Sequence, residues 1–300
     1  MKTTRIFLTF AVLIALSITI DGQNRRNRGP SLNIRGGVDV RDCGDLEVTF
    51  DRRAAITEQS EMTLASSEVS TLRTEMTNGG VFIQGWDRSD YSVKTCKAVP
   101  PDDSNATATL RDIVTNRTGN TQISVSGPSD REWAAHLIIM VPRISTMNIQ
   151  TTNGPLSVRN LAGNIRLTAT NGPISVQNVG GVVETTATNG PVSLAGASGD
   201  HRVNTTNGPV SLRLSGDRWD GPGLEVSTSN GPMSLSIPDG YSSAIAIQTS
   251  DRSPVNCTAA ACASATRSLG TPSIIRMGSG TPIVRLTTSN GPLSINSSRN

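Results

Sequence analysis

The chain has 300 residues, 35% of them hydrophobic but only 3% aromatic, and a net charge of +3. A core made of small, often β-branched side chains is thin, which argues against a large globular enzyme and for a repetitive stack. A charge this close to neutral, with no basic stripe and no stacking aromatics, excludes a dedicated nucleic-acid binder.

Residues 1–22 read as a secretory signal peptide. Lys2 and Arg5 form a basic head, and Ile6 to Ile20 is a run of apolar and hydroxyl residues. The alternative is a membrane anchor, but the run is shorter than the ~20 residues a spanning helix needs, so no integral membrane segment is expected after signal removal. Residues 23–30, with Arg25, Arg26 and Arg28, read as a solvated basic linker. Residues 31–146 read as irregular β coils or an N-terminal cap, with strands at Leu46 to Phe50, Val81 to Gln84, Tyr91 to Lys94, Gln122 to Val125 and His136 to Val141. Asn78-Gly79-Gly80-Val81 looks like a decayed copy of the corner that follows.

From residue 147 to 300 the sequence repeats. Asn-Gly-Pro returns at Asn153, Asn171, Asn189 and Asn207 with a spacing of 18, and again at Asn230 and Asn290. Before each corner, alternate positions form inward columns: Met147 and Ile149, Ile165 and Leu167, Val183 and Thr185, His201 and Val203, Leu224 and Val226, Val284 and Leu286. After it, a second short strand flanks a Ser with Leu156 and Val158, Ile174 and Val176, Val192 and Leu194, Val210 and Leu212, Met233 and Leu235, Leu293 and Ile295. Strict alternation means strand, and columns that match in one direction call for parallel stacking, not hairpins. The expected fold is all-β: a parallel β-solenoid of ~18-residue rungs about 4.8 Å apart, with the asparagines either bonded as an amide ladder or tolerated by the turn. Insertions are expected at 215–223 and 252–282.

The run Val81-Phe-Ile-Gln-Gly-Trp-Asp-Arg88, then Ile138 to Pro142, then the Thr-Asn-Gly-Pro rungs resembles the bacterial "putative adhesin" family of repetitive β-solenoids. That resemblance covers about residues 40 to 297. It implies an exported, envelope-associated protein with no established active site and no catalytic residues to carry over.

Four cysteines permit three pairings. The five-residue spacing favours Cys257 with Cys262, which leaves Cys43 with Cys96; metal binding, with His136 and His201, is the alternative. His201 falls in an apolar column and reads as a core histidine. No cofactor is expected.

Three functional classes remain. The first is a non-catalytic exported binding or scaffolding module, periplasmic, cell-surface or extracellular, with an envelope glycan or a protein as partner. Recognition would lie in the insertion Asp217-Arg218-Trp219-Asp220, where Trp219 would stack on a sugar or else fold back on a rung. Calcium at Asp217 and Asp220 would lack oxygens. The second is a polysaccharide-degrading β-helix enzyme using Glu184 and Glu225, two rungs apart, though Arg202 between them would keep both ionised. The third is an ice-binding solenoid presenting Thr168 with Thr170, Thr186 with Thr188, and Thr287 with Ser289.

Overall fold

The computed structural model describes residues 30–34, 39–119, 121–250, 253–268, 270, 272–281 and 283–298. The expected signal peptide (1–22) and all but the last residue of the basic linker (23–30) lie outside them. The described chain is all-β, with one α-helix, Ala106–Asp112, among those residues.

The 18-residue columns are the hydrogen-bonding register. Met147–Asn153, Leu156–Asn171, Ile174–Asn189, Ser198–Asn207, Asp220–Asn230 and Val284–Asn290 pair in parallel, placing Asn153, Asn171, Asn189, Asn207, Asn230 and Asn290 opposite one another in turn. The short strands after the corner do the same, so Leu156, Ile174, Val192, Val210, Met233 and Leu293 form one buried column. The inward positions named above, Thr185 and His201 included, are all buried.

At the corner each asparagine Nδ2 donates to the Oδ1 of the preceding one. The chain of bonds runs from Asn290 through Asn230, Asn207, Asn189, Asn171 and Asn153 to Asn78, with lengths of 3.0 to 3.1 Å. The next residue must be glycine because the rungs touch there. Gly190 has φ +150°, and a Cβ on it would lie 2.3 Å from the Gly172 carbonyl oxygen. Its N–H donates to Asn207 O at 3.0 Å. Proline then adds no orphan donor where the chain turns into the second strand.

The structure departs from the sequence reading in three places. The register begins earlier than residue 147: Leu72–Asn78 lies beside Met147–Asn153 with Asn78 opposite Asn153, and Val81–Trp86 lies beside Leu156 to Arg159. The proline is missing there, but Leu72, Met76, Val81 and Ile83 keep the apolar columns. Secondly, pairing is not parallel throughout. At one end Val81–Trp86 pairs with Ala134–Pro142, which then runs antiparallel to Asp90–Val99, itself antiparallel to Ile56–Ala65. Thirdly, chain order is not stacking order. Val284–Asn290 sits between Asp220–Asn230 and Ile245–Thr249, and Leu293–Ser298 sits between Met233–Pro238 and Val255–Cys257. The stretch expected as an insertion at 252–282 therefore contributes part of the outer coil. It closes with Ser273–Met277 antiparallel to Ile245–Thr249 and Thr266–Ser268 antiparallel in turn.

The outer strands include Thr266–Ser268 with Arg267 at one end and Ile56–Ala65 with Glu58 and Glu61 at the other, polar or charged edges that discourage edge-to-edge growth. The hairpin of Val114–Thr118 and Gln122–Ser126 lies outside Leu72–Asn78, and Val255–Cys257 lies outside Leu293–Ser298. A three-stranded sheet built from Ser31–Ile34, Leu46–Phe50 and Arg53–Ala54 covers part of the N-terminal end, packing Leu46 near Phe82 and Phe50 near Ala98. The Cys43 and Cys96 sulfurs are 1.98 Å apart and tie this layer down.

Asn189→Ala would remove the acceptor of Asn207 and the donor to Asn171. We expect a loss of about 1–2 kcal/mol, two modest net hydrogen bonds, in the denaturant midpoint. Val176→Asp buries an unpaired charge between rungs and should prevent folding of the stack.

Candidate functional site

The sequence-predicted loop leaves the stack at Ser215 and re-enters it at Asp220, whose N–H donates to Ala197 O at 2.7 Å. Asp217, Arg218 and Asp220 are exposed, but Trp219 is only 2% exposed. Its indole Nε1–H donates to Gly199 O at 2.8 Å, its ring meets His201 edge-on at 5.4 Å, and its backbone N–H donates to Ser243 Oγ at 2.8 Å. Of the two readings of Trp219, stacking on a sugar and folding back on a rung, the structure has the second: the indole is buried and plugs the glycine corner beside Gly199, so it is not presented to a ligand. The cause is local packing. His201 stands in an otherwise largely aliphatic inward column, bonds Val179 O through Nε2 at 2.8 Å, and is covered edge-on by the indole. The Asp217 carbonyl accepts from Ser242, through N–H and hydroxyl, which pins the loop to the next turn.

The other sequence-predicted residues fall as follows. Glu184 and Glu225 share an outward column with Arg202 between them, and Arg166 Nη2 lies 2.6 Å from Glu184 Oε2. The threonine rows point outward but are interrupted by Asn204 and Ser227, and a charged column runs beside them. Cys257 and Cys262 also lie at bonding distance, so both pairs follow the local pairing read from the sequence. Among the described residues no group of three or more His, Cys, Asp or Glu could hold a metal ion, and no helix is long and apolar enough to cross a membrane.

A cleft of about 300 Å³ that no sequence pattern marks lies at the N-terminal end, lined by Asp51, Arg53, Asp102, Asp103, Arg131 and Glu132 among others. Arg53 pairs with Asp102 at 2.7 Å, and Thr109 donates to Asp103 at 2.7 Å. Burial pushes the Glu132 carboxyl above its ordinary range, and Asp51 and Asp102 add to this. These residues are scattered over 80 positions of sequence, and no spacing marks them. Two buried histidines complete the inventory. His136 Nδ1 accepts from the Gly80 N–H at 2.8 Å, and burial lowers its pKa to about 4; burial lowers that of His201 too.

No family profile matches the sequence, and no curated protein matches it. Among solved structures, the chain is similar to a putative cell adhesion protein from Clostridium sporogenes, at 11% identity, TM-score 0.35, covering 81% of this chain and 100% of that one. It is also similar to a putative adhesin from Bacteroides fragilis, at 11% identity, TM-score 0.31, covering 81% and 97%. A third is a putative lipid binding protein from Parabacteroides distasonis, at 10% identity, TM-score 0.33, covering 81% and 97%. At these values the likeness assigns neither fold nor function to this chain.

Two outcomes are expected. Trp219→Ala should cost about 3–5 kcal/mol, seen as a lower melting temperature, while the stable Trp219→Phe variant keeps any glycan binding unchanged. For His136 the folded pKa lies below the unfolded one, so the unfolded chain gains protons first as pH falls. Stability should drop between pH 6.5 and about 4, by roughly 3 kcal/mol for a shift of this size. His201 acts in the same direction. A denaturation series across that window should flatten when both histidines are replaced.

Proposed function

We propose that this chain is an exported, non-catalytic binding or scaffolding module of adhesin type, built as a parallel β-solenoid. The observation that carries the reading is the in-register stack itself. It turns a repeated sequence into a long face on which equivalent polar side chains recur at each strand spacing, ~4.8 Å apart, and stacked repeats use such faces to bind extended partners. The two cysteine pairs fit an oxidising, extracytoplasmic compartment. The sequence resemblance to the "putative adhesin" family points the same way, and an envelope glycan or envelope protein is the partner class it brings. Within the proposal the chain divides into a signal and linker, an N-terminal cap, and the rungs with their outer coil.

The enzyme alternative rests on Glu184 and Glu225, and Glu184 is already engaged by Arg166. The test is a glycan array and a whole-cell binding assay on the mature chain, run beside a reducing-end assay on the bound glycans. Binding without new reducing ends is expected; hydrolysis abolished by Glu184→Gln would overturn the non-catalytic reading.

A further inference from the structure

One outward row crosses the stack from Arg73 to Thr266, read directly from the register, with Gln122 and Thr118 beyond Arg73. It runs Arg73, Asn148, Arg166, Glu184, Arg202, Glu225, Arg285, Ala246, Arg276, Thr266, each opposite the next on adjoining strands. An arginine stands on every second strand, five in succession. This order exists only in space, since Arg276 follows Ala246, which follows Arg285. All five arginines are exposed. Among the described residues the row holds a single ion pair, Arg166 with Glu184, so five guanidinium groups face two carboxylates. The guanidiniums recur at about 9.6 Å and span ~38 Å from Arg73 to Arg276. Beside them runs a second row of hydrogen-bonding side chains, Gln150, Thr168, Thr186, Asn204, Ser227, Thr287 and Gln248, with one carboxylate, Glu75, at the Arg73 end.

We infer that this face binds a linear polysaccharide of diequatorially linked hexoses carrying one uronate carboxylate per disaccharide, laid along the stack. The inference rests on the binding reading above and names its ligand and site. Two hexoses of such an extended chain cover about the distance of two strand spacings, so each carboxylate meets a guanidinium, whose planar fork suits it. The neutral hexose between them lies over Asn148, Glu184, Glu225 or Ala246, and the neighbouring row reaches its hydroxyls. Glu184 and Glu225 accept hydrogen bonds from those hydroxyls, and they repel a chain that is charged on every sugar. That is discrimination by a built-in repulsion. Charge attraction alone supplies no such preference, because a fully charged chain would then bind at least as well.

The test is calorimetric titration of the mature chain with three probes: size-defined hyaluronan oligosaccharides, polymannuronate of similar length and neutral chitin oligosaccharides. Hyaluronan should bind best, with affinity rising as the oligomer lengthens toward five disaccharides and falling with salt. Arg202→Gln and Arg285→Gln should each weaken it about tenfold or more, as loss of a charge-assisted hydrogen bond does, with the melting temperature unchanged. Combining Arg285→Gln with Ala246→Arg keeps the net charge but breaks the alternation, and it should lose binding as the single Arg285→Gln variant does. Polymannuronate binding as well as hyaluronan, or the relocated arginine binding like the parent, would overturn the inference. So would silence toward hyaluronan. If the glycan array then finds another ligand, the binding reading stands without this site; an array with no ligand removes both.

Discussion

The contact on which the rest of the structure depends is the close approach of successive rungs at the Asn-Gly-Pro corner. A Cβ at Gly172, Gly190, Gly208 or Gly231 would fall 2.2 to 2.3 Å from the carbonyl oxygen of the glycine before it, so the backbones meet with no room for a side chain. The glycine N–H reaches the asparagine carbonyl on one neighbour, and the asparagine amide reaches the amide of the other. Together these bonds lock register at a point where a slip of one residue would turn each inward column to solvent. The apolar columns supply most of the driving force, but they are chemically alike from rung to rung. It is the corner that says which residue lies over which.

That constraint also decides where the chain can depart from its period. Most of the extra residues leave at the turn, at residues 215–219, and one more is taken up as a bulge near the start of Asp220–Asn230, before the inward columns resume. Where the longer segment rejoins at Asp220, the register shifts by one residue between Ser198 and Asp200 and then holds from Asp200 opposite Gly223 onward. Trp219 closes the gap this creates over Gly199 and His201. Its burial follows from the defect it repairs. The same logic makes the outward face uniform, since each side chain's direction is set by its distance from the nearest asparagine.

Much of this was legible in the sequence, because a fixed period writes contacts that lie far apart in the fold as neighbours in an alignment. Leu167 over Thr185, Val176 over Leu194 and Glu184 over Arg202 are all legible in the 18-residue alignment. The cysteine pairing was legible from spacing alone. What escaped lay wherever the period fails. Nothing in Ile245-Ala-Ile-Gln-Thr249 announces that it will lie outside Val284–Asn290, because both carry the same alternation and only three-dimensional competition for the end of the stack decides between them. For Trp219, composition made an exposed aromatic plausible, while the hole it fills depends on His201 and Gly199 together. The acidic cleft around Glu132 and Asp102 draws on loops with no shared pattern, so no reading of one stretch could assemble it. The alternating arginine row was hidden for the same reason as the stacking order: it becomes regular only once Val284–Asn290 is placed ahead of Ile245–Thr249.

Native-state hydrogen exchange at the corner glycines tests whether one in-register column runs from Asn78 to Asn290. Gly79, Gly154, Gly172, Gly190, Gly208 and Gly231 each donate an N–H to the asparagine carbonyl of the adjacent rung, at 2.9 to 3.2 Å. Corners at the surface otherwise exchange quickly, so these amides carry strong protection only if the rungs are stacked as described. Slow exchange is expected at all six, released together as the stack unfolds. Rapid exchange at Gly172, Gly190 and Gly208, with protection confined to the strands, would contradict it.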